Sequence, residues 1–197
     1  MTAPEKICGL VLAGGRSTRM GSDKALFRQD GETQLSRAVS LLEAHVDRVF
    51  VSTRPDQADD AERNKFEQIV DRYQDLGPVA GILSALESHE NVSWLVLACD
   101  LPNIDETTIA FLIEHCSAEH PVTAYESVVD GLPEPLCAIY RPESRTVIER
   151  FVAQGIICPR KMLINSDTHL LTQPSPGALH NINAPEDLAG TAIEPLS

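Results

Sequence analysis

The sequence has no CxxC pair and no even set of cysteines; its five (Cys8, Cys99, Cys116, Cys137 and Cys158) are widely spaced and mostly sit in apolar runs. That usage argues against a disulfide framework and predicts a reducing, cytoplasmic setting, where a free cysteine behaves as a small hydrophobe. No apolar run approaches the length of a membrane span, and the stretch over residues 7–13 runs into glycines and charges without a signal-peptide layout. Positive charge is scarce too, since 16 Lys and Arg face 29 Asp and Glu for a formal charge of −13. This balance argues against non-specific binding to nucleic acid or to an anionic membrane surface. A polyphosphate would be repelled by the same field, so it requires a local basic cluster. Internal repeats and linkers rich in Gly, Ser or Pro are also missing. One domain over residues 1–197 is therefore expected, long enough to bury a full core.

What is present alternates between strand and helix patterns. Residues 6–13 (KICGLVLA), 49–53 (VFVST) and 93–98 (SWLVLA) are short apolar runs that read as strands buried on both faces. Residues 68–70 form a briefer apolar segment. Leu35, Ala38, Val39, Leu42 and Val46 recur at helical spacing, as do Ile109, Leu112, Ile113 and Cys116 after a capping Asp105. A helix is expected over about 80–88 after Gly77-Pro78, and residues 56–65 read as a polar loop or short exposed helix. Strands over 121–125 and 136–140, a helix over 143–153, a short strand at 170–171 and a helix opened by Pro185 complete the pattern. The alternation predicts a single-domain, three-layer α/β/α sandwich with a mostly parallel mixed sheet, Rossmann-like in arrangement.

Residues 12–26 (LAGGRSTRMGSDKAL) hold the basic cluster that the acidity demands. A strand ends, paired glycines follow, and Arg16, Arg19 and Lys24 fall within nine residues. Gly14, Gly15 and Gly21 allow a tight turn that brings backbone N–H groups against phosphate oxygens, and the cations would meet a triphosphate and its departing pyrophosphate. Neither GxxxxGK[ST] nor GxGxxG occurs. Position alone leaves other candidates ambiguous. Asp100 follows residues 93–98 at a strand's carboxyl end, and reads equally as a Mg²⁺ ligand or a turn aspartate. Asp71 ends the 68–70 segment and by itself is one acid among 29. Asn181 and Asn183 would share a side on an extended segment or be ordinary loop asparagines. Arg160-Lys161 is a phosphate site or an exposed basic pair. The six histidines show no metal-ligand spacing, and no Ser-His-Asp or Cys-His arrangement can be read.

The loop resembles the signature LAGGxSxRMGxDK of nucleotidyltransferases related to the molybdenum cofactor guanylyltransferases. The resemblance continues at residues 77–81 (GPVAG), 99–102 (CDLP), 134–140 (EPLCAIY) and 181–188 (NINAPEDL), in order along nearly the whole chain. It implies transfer of GMP from GTP to the phosphate of molybdopterin with release of pyrophosphate. Residues 6–116 would bind NTP and metal, and residues 117–190 the acceptor. Arg19, Lys24 and Asp100 would be catalytic, with Asp100 holding Mg²⁺. Leu12, Ala13, Gly14, Gly15, Lys24, Ser52, Asp71, Gly81 and Asp100 would line the nucleotide site, and Arg160, Lys161, Asn181 and Asn183 the acceptor site. Asp71 would accept hydrogen bonds from the guanine edge, and Gly15 stands where related cytidylyltransferases tend to have alanine. Ser52 departs from the family's asparagine, which implies a bridging water or a different base pocket. The resemblance also implies transient contacts with proteins of cofactor biosynthesis, and a monomer or small homo-oligomer. CTP or another phosphorylated acceptor is the alternative within this chemistry; a non-catalytic nucleotide-binding module is the alternative outside it.

Overall fold

The apolar runs become the centre of a sheet. A computed structural model describes residues 6–15, 23–181 and 193–194. In it β1 (Ile7–Leu12), β4 (Val49–Thr53), β5 (Gln68–Val70), β6 (Ser93–Ala98), β7 (Val122–Glu126), β8 (Pro133–Tyr140) and β9 (Thr168–Leu171) form a seven-stranded sheet in the order β5-β4-β1-β6-β8-β7-β9. β5, β4, β1 and β6 run parallel, β8 is antiparallel to both β6 and β7, and β9 is parallel to β7. Every residue of β4 and β6 is buried, as expected of strands covered on both faces.

Alternation along the strands sorts two cores. Leu10, Trp94, Val96, Ala138 and Tyr140 face α2 (Pro78–Ser88), α4 (Ser144–Ala153) and α5 (Pro159–Ile164). Val11, Val51, Leu95, Leu97 and Ile139 face α1 (Gln34–Glu43) and α3 (Glu106–Glu114). This is the three-layer sandwich that the pattern predicts. Helix starts follow local chemistry. Thr33 caps α1 by accepting from Ser36 N–H at 3.1 Å, and Asp105 caps α3 by accepting from Thr108 N–H at 2.7 Å.

Several boundaries differ from expectation. α1 stops at Glu43, and Val46 packs from the turn after it, its N–H still donating to Leu42 O. α2 starts at Pro78, whose ring suits the first helical turn, instead of near residue 80. β8 is longer than read, because a bulge opposite Ala124/Tyr125 lets it extend back to Pro133. The bulged carbonyl of Pro135 accepts from the buried Tyr140 hydroxyl at 2.9 Å. A small second sheet of β2 (Arg28–Gln29), β3 (Glu32–Thr33) and β10 (Ile193–Glu194) was not anticipated. Two-residue strands are too short for periodicity to show. Their hairpin signal was the Asp30-Gly31 pair, where φ is 54° and 86°, the left-handed geometry of a two-residue turn. The stretch read as polar loop or exposed helix at 56–65 holds two short 3₁₀ turns and is not wholly exposed, since Arg63 is 1% accessible. The helix expected at Pro185 lies outside the described residues.

Candidate active site

The connections from β1 lead to β4 and β5 on one side of the sheet, while β6 leads to the other side, so the carboxyl ends of β1 and β6 border a topological switch point. Open α/β sheets bind ligands in that crevice. Here it opens into a cleft of about 1120 Å³. Four adjacent parallel strands each deliver side chains or backbone to its floor. β5 ends at Asp71, β4 contributes Ser52 and leads to Arg54, β1 leads to Gly14-Gly15, and β6 leads to Asp100. Every described residue expected at the nucleotide site, from Leu12 through Gly81 to Asp100, lines this cleft.

At the β6 side, Lys24 Nζ lies 3.4 Å from Asp100 Oδ2, with the two side chains 15% and 23% accessible. Lys24 is placed there by a 3₁₀ turn over Lys24–Leu26, whose cap Asp23 accepts from Ala25 N–H at 3.1 Å. The other carboxylate oxygen, Asp100 Oδ1, is buried and has no hydrogen-bond partner among the described residues. A buried, unsatisfied carboxylate oxygen is costly, and a cation bound there would satisfy it. Among the described residues no group of three or more His, Cys, Asp or Glu is arranged to hold a metal alone. The fit is to a cation that shares Asp100 with substrate oxygens, as Mg²⁺ usually does.

At the β5 side, Ser52 Oγ donates to Asp71 Oδ1 at 2.7 Å. Ser52 is 2% accessible and spends its hydroxyl on Asp71, which gives its side chain a part in placing the carboxylate. A methyl group on Gly81 would lie 2.2 Å from Ser52 Oγ and 2.9 Å from Leu12 Cδ2, so the close approach of α2 to the strand ends requires glycine. Burial pushes the Asp71 carboxyl up to about 6, against the opposing Ser52 hydrogen bond and the Arg54 charge. A Cβ at Gly14 would meet Asp71 Oδ2 at 3.3 Å, whereas one at Gly15 would meet nothing within 4 Å among the described residues. Gly15 lines the cleft.

The described lining carries Asp23, Asp56, Asp71, Asp75 and Asp100 against Lys24 and Arg54. Arg54 is already paired bidentately with Asp56 at 2.9 and 3.0 Å, and also donates to the Gly14 carbonyl. Arg16 and Arg19, the rest of the expected basic cluster, lie outside the described residues.

The acceptor candidates are not all brought together. Arg160 and Asn181 line a separate cavity of about 250 Å³ with Ser127, Glu134, Gln173 and His180. Arg160 donates to Glu134 Oε2 at 2.6 Å and to Asp130 Oδ2 at 3.4 Å, so its charge is shared with two carboxylates. Lys161 is exposed on α5 and does not line this cavity, and Asn183 lies outside the described residues. β8 touches both cavities, with Leu136 in the cleft and Glu134 in the smaller one. Two contributors escaped the sequence reading. Arg54 follows a strand end just as Asp71 and Asp100 do, so its signal was available. Arg63 stands in a polar stretch, and nothing local marks it as buried.

Comparison with known proteins supplies relatives for this geometry. A family model described as a MobA-like NTP transferase domain matches residues 9–169. The chain is 38% identical over 179 residues to a molybdenum cofactor biosynthesis bifunctional protein of Synechocystis sp., covering 91% of this chain but 52% of that protein. It thus spans about half the length of that relative. It is 29% identical to a probable molybdenum cofactor guanylyltransferase of Halalkalibacterium halodurans, covering 92% and 95% of the two chains. Among solved structures it is similar to molybdopterin-guanine dinucleotide biosynthesis protein A from Archaeoglobus fulgidus, with a TM-score of 0.77, 23% identity, and 92% and 95% of the chains covered.

Proposed function

This chain belongs to the MobA-like NTP transferase family and is a nucleotidyltransferase, and on that premise we propose that it transfers GMP from GTP to the phosphate of molybdopterin, releasing pyrophosphate. The observation that carries this reading is the placement of Asp71 and Asp100 at opposite ends of one cleft, beyond the carboxyl ends of β5 and β6. Three inter-strand steps separate those strands, roughly 14 Å, which suits a purine edge at one end and a polyphosphate at the other. The relatives named for guanylyl transfer support the choice of base and acceptor.

On this reading Asp71 accepts from N1–H and the exocyclic amine of guanine. That role needs its ionised form, which prevails above a pKa of about 6. Cytosine has no N1–H donor and satisfies the carboxylate less well. Backbone at Gly14 and Gly15 approaches the phosphates, and Lys24 neutralises the pyrophosphate as it departs, with Arg19 as its partner. Asp100, through the oxygen that has no partner among the described residues, would hold Mg²⁺. When bound, the cation supplies charge neutralisation at the polyphosphate. The attacking acceptor phosphate is already ionised near neutral pH, so in-line positioning and charge neutralisation suffice and no general base is needed.

The acceptor is assigned to the side formed by residues 117–190, with Arg160, Lys161, Asn181 and Asn183 as its contacts, and the nucleotide and metal to residues 6–116. The shared cavity of Arg160 and Asn181 supports that division for two of the four. The widely spaced, odd set of five cysteines supports a cytoplasmic location; no helix among the described residues is long and apolar enough to cross a membrane. The test is to incubate the protein with Mg²⁺, molybdopterin and equimolar GTP and CTP, and to weigh the product. A GMP adduct is expected. A CMP adduct would overturn the base assignment, and no adduct with either nucleotide would overturn the reaction.

A further inference from the structure

Arg63 is among the largest fully buried side chains, and it is charged. Burying a guanidinium costs several kcal/mol unless its donors are met. Both Nη atoms have partners, while Nε has none among the described residues. Arg63 Nη2 donates to the Ala13 carbonyl at 2.7 Å and to Asp23 Oδ2 at 2.7 Å. Nη1 lies 3.3 Å from Asp60 Oδ1, and the same Asp60 oxygen accepts from Arg63 N–H at 3.1 Å. One guanidinium therefore ties the backbone just past β1, where Gly14-Gly15 follow, to Asp23, which opens the turn bearing Lys24.

Asp23 is the link between anchor and site. Its Oδ1 caps that turn through Ala25 N–H, while Oδ2 receives Arg63 at 2.7 Å and Gln57 Nε2 at 3.4 Å. Lys24, the next residue, reaches Asp100 at 3.4 Å. A continuous set of contacts thus runs from Arg63 through Asp23 to Lys24 on the cleft wall. Side chains that must meet charge in a transition state act through placement, and small displacements are costly.

We propose that Arg63 is a positioning residue for the proposed transfer reaction, holding Lys24 at a fixed distance from the glycine turn by clasping Ala13 and Asp23. It touches no substrate in this assignment and acts through Lys24. The proposal rests on the nucleotidyl-transfer reading for its purpose, but its geometry makes a claim about Mg²⁺–GTP binding that can be judged alone.

The experiment is a double-mutant cycle on equilibrium binding of GTP in the presence of Mg²⁺, using the wild type, Arg63→Met, Lys24→Ala and the double variant. Interacting residues give non-additive losses. Arg63→Met is expected to weaken GTP binding by about tenfold in the wild-type background and by less than about twofold when Lys24 is already alanine. Equal losses in both backgrounds would overturn the positioning role and leave Arg63 as a general structural brace. If Arg63→Met does not fold, Asp23→Asn opens the same clasp from its more accessible end while keeping a capping side chain, and the same cycle is run with it. GMP transfer is measured on the same wild-type protein. Non-additive binding without transfer would uphold Arg63 and reject the reaction, whereas transfer with additive binding would do the reverse.

Discussion

Ser52 Oγ donates to Asp71 Oδ1 at 2.7 Å, so the residue at the family's asparagine position supports the carboxylate. Burial, opposed by this bond, sets which form of Asp71 a ligand meets. Burial raises the carboxyl to about 6, and the Ser52 hydroxyl opposes that rise. If guanine donates to the ionised form, its affinity falls as pH drops below 6, by about tenfold per pH unit where the neutral acid dominates. The ratio of wild-type to Asp71→Asn affinities removes the titration of the phosphates themselves. Measured by calorimetry between pH 5 and pH 8, that ratio should rise with pH and level off near 7. A flat ratio would remove Asp71 from the base site.

The same shift makes a stability prediction of opposite sense. The carboxyl moves from its ordinary 3.8 to about 6 on folding, so between those values the folded protein holds the extra proton. Stability contributed by that proton is full below pH 4 and is lost as pH rises through 6. Asp71→Asn should therefore raise Tm relative to wild type at pH 8 and lose that advantage at pH 4, while weakening GTP binding. Thermal unfolding of the two proteins at both pH values checks it, and an equal Tm difference at the two would contradict the assignment.

Gly81→Ala places a methyl group 2.2 Å from Ser52 Oγ and 2.9 Å from Leu12 Cδ2. Overpacking of this kind costs about 1–3 kcal/mol. Because Ser52 must move, the loss should reach Asp71, so GTP binding is expected to weaken as well as Tm. Gly15→Ala, which meets nothing within 4 Å among the described residues, should leave Tm unchanged and alter only ligand binding.

Lys24→Ala removes the described cation nearest Asp100. On the proposed mechanism it lowers kcat by about 10²–10³, the scale for losing one charge-stabilising donor, with circular dichroism unchanged. Wild-type turnover in that variant would remove Lys24 from the reaction.

Legibility in the sequence followed range. Strands such as 93–98 and 49–53 could be read because burial on both faces writes a continuous apolar run, whereas Asp71 and Asp100, which follow such runs, were singled out only by the family resemblance. The Ser52–Asp71 bond and its contact with Gly81 were not readable, since they depend on how closely α2 approaches two strands. Arg63 was hidden for the same reason. Its partners Ala13 and Asp23 are brought to it by the sheet, and a lone arginine in a polar stretch carries no mark of burial. β2 and β3 were too short to show a period, although Asp30-Gly31 announced their turn.

The most direct test of the central claim, that Asp71 reads a guanine edge in this cleft, is equilibrium binding of the Mg²⁺ complexes of GTP, ITP and CTP to wild type and Asp71→Asn at pH 8. ITP keeps N1–H and lacks the exocyclic amine. Wild type is expected to bind GTP more tightly than ITP and ITP more tightly than CTP, with the differences collapsing in Asp71→Asn. The same ranking with undiminished differences in Asp71→Asn, or equal affinities in wild type, would contradict the account.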